Sequence, residues 1–507
     1  MTDFVMAASP QGLLRGQRQS GVSAFLGIPY AEPPVGALRL RSPRPCRPWS
    51  GARDALRPGP ASLQTPLGNQ SWLNEPPAAQ SEDCLFLNVW TPSTSGRHPV
   101  LLWVHGGATR NGSGAASAID GAALAAHGVV VVTINYRLGA LGGLAHPLLA
   151  DPDTGLCANW GLQDKLAALR WVRDSIAAFG GDPARVTLAG QSSGAANVAL
   201  IAQHGLEAGL YRGIITQSPP LFRPPMFAEM EAASAYTEAL CASLGVDVAG
   251  LRQIDGAVLQ QQEQAFAVSA AFKRPATAPV RDGQLIRQWP YDAPAARVPL
   301  LAGWTATEAD FWFDLTDGQG QRLSPMQAPA TLAELQPRAA ALIAAHYAFA
   351  QAPDVREVID LYAQGHDTAP AIWRALYTDL VFRAPMLHML ARHARAGMPA
   401  WAYEFGFPVA GSADSSPHAA DVPFVFGNTG QAHVSQKIGR PAEALAASQA
   451  MMGHWRDFIV EQSPGWSGFD PARPAVMRFG LGTEHVVPVH AASAAGLWPG
   501  YFSAAQA

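Results

Sequence analysis

A serine, a carboxylate and a histidine that follow one another in the right settings can split an acyl bond, and this chain offers candidates for all three. Gly190-Gln191-Ser192-Ser193-Gly194 fits G-x-S-x-G, the sharp strand-to-helix turn that lifts a serine hydroxyl off a sheet and aims a helix N-terminus at the same spot. Val186 to Ala189 is the short apolar run of a buried strand, and Ala195 to Leu200 continues as a helix. The pentapeptide alone is a weak signal in a chain with 48 glycines; the strand–turn–helix context gives it weight. A serine hydroxyl needs a base and the base an orienting acid, which in such folds come in the order serine, acid, histidine.

For the acid, Glu308 closes the run Leu300 to Glu308, just after a predicted strand. Asp310 competes with it, and a helix first-turn carboxylate is the plain alternative. For the base, His418 ends the polar, glycine-bearing loop Gly411 to His418, beyond a predicted strand at Trp401 to Phe405. A loop held by a strand is where catalytic groups collect, although a solvated loop histidine reads the same way. His454, beside Trp455 in a long helix, reads as structural, and His105 as shaping the glycine-rich loop after it. Acyl transfer also needs donors aimed at the developing oxyanion. The N–H of Ser193 and the loop Gly106-Gly107-Ala108 can supply them; the Ser193 hydroxyl reads as incidental.

The elements that must position these groups alternate. Residues 1–50 read as short strands and turns, and 51–80, rich in Gly, Pro, Ser and Asn, as surface loop. Phe86 to Trp90 alternates around Asn88 as a strand. Pro99 to Val104 is a strand leading into the loop His105 to Gly114, and Ala116 to Ala126 a helix. Val129 to Ile134 is a β-branched run, the mark of a buried parallel strand. Leu162, Leu166, Leu169, Ile176 and Phe179 make the apolar stripe of a helix that Gly180-Gly181-Asp182-Pro183 stops. Strands follow at Gly213 to Thr216 and Leu300 to Ala302, then a helical, Ala-rich stretch over 325–400, and a long helix at Ala442 to Val460. The pattern predicts an α/β fold, a large mostly parallel sheet with helices on both faces and a helical insertion. The expected division is a core over 1–310, a helical lobe over 311–397, and the rest of the core with the histidine loop over 398–507.

Of the 507 residues 15% are charged and the net charge is −4, which argues against a nucleic-acid surface. The four cysteines, Cys46, Cys84, Cys157 and Cys241, show no metal-ligand spacing; free thiols are the default, with a Cys46–Cys84 disulfide as the alternative. The first residues lack a signal-peptide pattern and no long uncharged apolar run occurs. The expectation is a cytoplasmic protein without a membrane span, a monomer or small homo-oligomer, needing no cofactor and no metal.

The chain resembles the type-B carboxylesterase/cholinesterase family of α/β-hydrolases, as a bacterial, para-nitrobenzyl-esterase-like member. Phe25 to Ala31 with Pro33-Pro34-Val35-Gly36, Ser81 to Val89, Asn135 to Gly139, and Asn159, Gly161, Leu162 and Asp164 leading to the elbow match its motifs in order. The resemblance implies a fold spanning about residue 10 to 490 and a serine esterase with a small-molecule ester substrate. It puts the nucleophile on Ser192, the acid on Glu308 and the histidine on His418, ahead of Asp421 to Gly427. It implies oxyanion donors at Gly107, Ala108 and Ser193, and Ser218, in Gln217-Ser218, as a buried serine hydrogen-bonded within the triad network. Three positions depart from the family pattern. Ala108, followed by Thr109, replaces a third glycine, Gln191 replaces a glutamate, and Cys84 lacks its usual cysteine partner some 27 residues earlier. Phe311 to Phe313 and Phe424 to Phe426 are candidates for an apolar pocket lining. Amide, carbamate and polyester hydrolysis on the same machinery, and a non-catalytic binding protein, are the rival readings.

Overall fold

A computed structural model describes residues 3–64, 75–220, 227–268, 278–290, 293–313, 327–346, 352–482 and 484–489. Part of the 51–80 stretch and parts of the expected 311–397 lobe lie outside them. The apolar runs become strands of one mixed sheet. In spatial order these are Asp3–Ser9, Gly12–Gln19, Val22–Pro29, Phe86–Thr91, Val130–Ile134, His98–Val104, Gly181–Gln191, Gly213–Gln217, Leu300–Thr305, Ala400–Phe405, Ala475–Phe479 and Glu484–Pro488. Ala52–Asp54 pairs with Gly12–Gln19 outside this path. From Val130–Ile134 to Ala475–Phe479 each neighbouring pair is parallel. The N-terminal strands and the last strand pair antiparallel.

Parallel strands need crossover connections, and those cover both faces of the sheet. Side chains alternate between two cores accordingly. Val100, Leu102, Val104, Val132 and Leu188 face one, with the Trp160–Ser175 helix and the elbow helix Ser193–Gln203. Leu101, Trp103, Val131 and Ala189 face the other, with the Pro441–Glu461 helix. The Phe86–Thr91 strand is buried throughout. Asn88 is tolerated there because its Nδ2 donates to the Gly114 carbonyl (3.1 Å) and its Oδ1 accepts from Gly27 N (3.0 Å).

Two helix expectations change in detail. The helix expected over Leu162 to Phe179 is α-helical over Trp160–Ser175, tightens to a 3-10 turn at Ile176–Phe179, and ends on Gly180 at φ 75°. The helix expected at Ala116 to Ala126 is split into a 3-10 turn, Ser117–Ile119, and a short helix, Ala122–Ala125. Asp120 breaks it by accepting the Ala122 N–H on its side chain (2.9 Å). Beyond residue 326 the helices Leu332–His346, Val355–Ala363, Ala369–Thr378 and Ala384–Arg395, with a π-helical turn at Asp379–Arg383, form the insertion. Leu335, Ile343, Val358, Ile372, Leu376 and Leu380 give the insertion an apolar cluster of its own. All four cysteines are free, so the Cys46–Cys84 alternative is not realised. Among the described residues no helix is long and apolar enough to cross a membrane.

The family-like motifs turn out to be scaffold joints. Arg39 grips Glu82 of the Ser81 to Val89 stretch with Nε and Nη2 (2.6 and 2.5 Å). Arg137 is buried and meets Asp164 through Nε, Nη2 and its own backbone N–H (2.9, 2.7 and 3.0 Å). Removing one partner of such a pair strands the other charge away from water. Arg137→Met is therefore expected to cost about 3–5 kcal/mol, read as a lowered melting temperature, and Arg137→Met/Asp164→Leu to recover part of the loss. A single variant as stable as the parent would contradict this.

Candidate active site

The Gly181–Gln191 strand runs into the Ser193–Gln203 helix through Ser192 alone, at φ 54° and ψ −129°. Such backbone costs an L-residue about 1–3 kcal/mol and persists only where its surroundings over-determine it. The surroundings are tight. A Cβ on Gly194 would sit 2.2 Å from the Val104 carbonyl oxygen, and one on Gly190 2.7 Å from the Gly194 carbonyl carbon. Ser192 N donates to the Gln217 carbonyl on the next strand (2.8 Å). The elbow helix opens on Ser193, whose N–H has no intrahelical acceptor, as at any helix start.

Glu308 lies in the turn after the Leu300–Thr305 strand and is wholly buried. Its Oε1 accepts the Thr305 N–H (2.8 Å), and its Oε2 lies 2.5 Å from His418 Nδ1. His418 hangs in the loop after the Ala400–Phe405 strand. That loop is tied back to the acid turn: Ser416 N donates to Thr307 Oγ1 (2.6 Å) and Thr307 N to the Ser416 carbonyl (3.2 Å). The carboxylate only accepts, so Nδ1 carries the imidazole proton. Nε2 then presents its lone pair toward the elbow, where Gln191 Nε2 donates to it at 3.0 Å. The competing acid, Asp310, is engaged elsewhere, by Ser415 Oγ (2.6 Å) and Arg374 (3.4 Å).

The ring of His418 packs among Phe382, Trp312 and Phe311, with centroids 4.9, 5.1 and 5.7 Å away. Phe382 reaches it from the π-helical turn, an irregularity often found at functional sites. The Phe311 to Phe313 segment thus does border the site. Phe424 to Phe426 does not: Phe424 packs on Phe405 and Phe426 on Trp103, in the core of the opposite face. The segment ends the short Val422–Val425 helix that follows the histidine loop, with Phe426 as its C-cap.

Ser218 departs from the expected role. It is fully buried, but its hydroxyl has no hydrogen-bond partner among the described residues. At φ 47° its backbone turns the chain, and its N–H donates to the Gly303 carbonyl (2.8 Å). The neighbour carries the link instead. Gln217 accepts from Ser192 N through its carbonyl, and its side-chain Nε2 donates to Asp421 Oδ2 (2.7 Å). Tyr403 Oη donates to the same oxygen (2.7 Å). Burial pushes the Asp421 carboxyl above its ordinary range, against the opposing pull of these two donors. Asp421 lies three residues past His418, just before the Val422–Val425 helix, and its place at the head of the Asp421 to Gly427 motif was the available signal for it.

On the other side of Ser192 lies the glycine-rich loop. A Cβ on Gly106 would fall 2.9 Å from the Ser192 Cβ. Gly107, Ala108 and Thr109 follow at φ 108°, 54° and 56°, all at positive φ. His105 shapes the loop, as expected: its ring stacks on Tyr136 (4.4 Å) and its Nδ1 meets the Gly106 carbonyl (2.7 Å). Burial holds the His105 pKa down to about 4, against 6.5 for a free side chain. Between those values the unfolded chain binds a proton that the folded one refuses, so stability rises with pH. Acidification from pH 6.5 to 4 should cost about 3 kcal/mol at this residue, and His105→Gln should flatten the melting-temperature profile over that window. An unchanged profile would remove the assignment.

His454, by contrast, bonds the Pro464 carbonyl and Glu484 (both 2.6 Å) in a structural role. Among the described residues no cluster of His, Cys, Asp and Glu is arranged to hold a metal.

A parallel sheet crossed by such an elbow, with a carboxylate-held imidazole beside it, defines a serine hydrolase on the α/β-hydrolase fold. The chain belongs to the carboxylesterase family, whose model matches residues 3–486. It is 36% identical to fumonisin B1 esterase of Sphingopyxis macrogoltabida, over 91% of this chain and 84% of that one. It is 33% identical to phenmedipham hydrolase of Pseudarthrobacter oxydans, over 94% and 95%. The crystal structure of a Geobacillus stearothermophilus carboxylesterase superposes with a TM-score of 0.80 at 31% identity, covering 99% of this chain and 100% of that one. The activity is hydrolysis of carboxylic esters, with small-molecule esters as substrates.

Proposed function

We propose that Ser192, His418 and Glu308 carry the ester hydrolysis and that the N–H groups of Gly107, Ala108 and Ser193 hold the oxyanion. His418 Nε2 takes the Ser192 proton as Oγ bonds to the ester carbonyl carbon. The carbonyl oxygen becomes the oxyanion, and each donor to it is worth about 3 kcal/mol in the transition state. As the bond to the alcohol oxygen breaks, His418 returns the proton to it. His418 then takes a proton from water, whose oxygen attacks the acyl carbon, and gives it back to Ser192 Oγ as the acid leaves. Glu308 stays ionised and supports the imidazolium.

The observation that carries this reading is the 2.5 Å contact of His418 Nδ1 with buried Glu308, which leaves Nε2 facing the elbow. Gln191, donating to Nε2 at rest, must yield to Ser192 during turnover. The Ala108 methyl narrows the space over the acyl carbonyl and should disfavour branched acids. A cytoplasmic setting is the reading that four free thiols support. The testing experiment is reaction with an organophosphonate: a single adduct on the Ser192 peptide, formed as hydrolysis of an aryl acetate is lost, is expected. An adduct elsewhere, with Ser192 unmodified, would overturn the assignment.

A further inference from the structure

The loop opposite Ser192 carries an unusual backbone. Ala108 and Thr109 are consecutive non-glycine residues at positive φ, and for β-branched threonine that is a genuine outlier. The turn closes on itself, with Arg110 N and Asn111 N donating to the Gly107 carbonyl (2.9 and 3.0 Å), and outside contacts tie it down. Away from the elbow, Thr109 O accepts from Gly139 N (2.8 Å). Arg110 grips buried Glu263 with both terminal nitrogens (3.1 and 3.0 Å), and Gln64 pairs with both backbone groups of Gly112 (2.8 and 2.9 Å). Those contacts fix the loop to the scaffold, not to the nucleophile. A contact with the elbow comes from Thr109 N, which donates to Ser193 Oγ at 3.1 Å. Ser193 is buried at the first position of the elbow helix.

We propose that the Ser193 hydroxyl is a positioning group for the oxyanion hole. It takes the Thr109 N–H, holds Gly107 and Ala108 in their left-handed arc, and so sets their N–H groups at a fixed distance from the N–H of Ser193 itself. One residue thereby supplies a donor and anchors the other two. The inference rests on the assignment of the hole given above. It makes Ser193 and Ala108 partners: the anchor matters more because residue 108, like Thr109, carries a Cβ at positive φ, whereas glycine adopts the same φ without strain.

Ser193→Ala keeps the N–H and removes only the hydroxyl. With an aryl acetate it should lower kcat about tenfold while KM stays within about twofold, because the lost placement is felt in the transition state. In an Ala108→Gly background the same change should cost about threefold or less, since glycine relieves the strain at one of the two positions that the anchor holds. Affinity for a trifluoromethyl ketone should fall in parallel with kcat. Equal factors in the two backgrounds, or a loss below about twofold with Ala108 present, would overturn the proposal. If the alanine variant does not fold, Ser193→Thr and Ser193→Val, alike in shape but differing in the hydroxyl, carry the same comparison. Activity surviving in Ser192→Ala would instead overturn the reading of the site, whatever Ser193 does.

Discussion

Ser192→Ala is expected to lower kcat/KM for an aryl acetate by at least about 10⁴-fold, which is about 5.4 kcal/mol of transition-state stabilisation. The reasoning is chemical: without Oγ there is no acyl-enzyme, and only the oxyanion donors and binding contacts remain to assist water. The fold should not suffer, because alanine keeps the backbone strain at φ 54° and loses only the hydroxyl of a partly buried residue. Ser192→Gly should be equally inactive yet melt higher than Ser192→Ala, since glycine relieves that strain, by about 1 kcal/mol. Residual hydrolysis within tenfold of the parent would mean that another nucleophile does the work.

Glu308→Gln is the second large effect, expected to lower kcat by about 10³–10⁴-fold with little change in structure. Glu308 now accepts twice, once on each oxygen, from Thr305 N and from His418 Nδ1. A carboxamide has a single oxygen. If that oxygen keeps the Thr305 N–H, its NH₂ group faces Nδ1 and drives the imidazole proton to Nε2, where no base is then left for Ser192. If the oxygen turns to Nδ1, the NH₂ group faces the Thr305 N–H and two donors collide in a buried place. Organophosphonate inactivation should slow by a similar factor, because it uses the same base. A loss smaller than about tenfold would show that the acid is not Glu308.

The uneven legibility of the site follows from distance along the chain. The elbow was readable because its demands are local: a short apolar strand, glycines where backbone of the Val104–His105 turn presses in, and a helix directly after. The glycine-rich loop was readable for the same reason. Glu308 and Asp310 were not separable by local pattern, since both follow the same strand; resemblance to the family favoured Glu308, and packing then shows Asp310 bound to Ser415 and Arg374. Phe424 to Phe426 and Phe311 to Phe313 look alike as aromatic clusters, yet only the latter faces His418. Which way a cluster points depends on the sheet face it meets, which no local pattern contains. The Ser193 hydroxyl, read as incidental, meets a backbone N–H 84 positions earlier.

By itself the sequence determined the alternation of strands and helices, the sharp serine turn and the small-residue loop, because these are requirements of neighbouring backbone on itself. The tertiary structure decided which carboxylate meets the imidazole across 110 residues, and that Gln191 reaches the same ring across 227. The reason is that parallel strands bring distant segments side by side at their ends. The strand order, fixed by burial of both faces of the sheet, chooses the chemical neighbours.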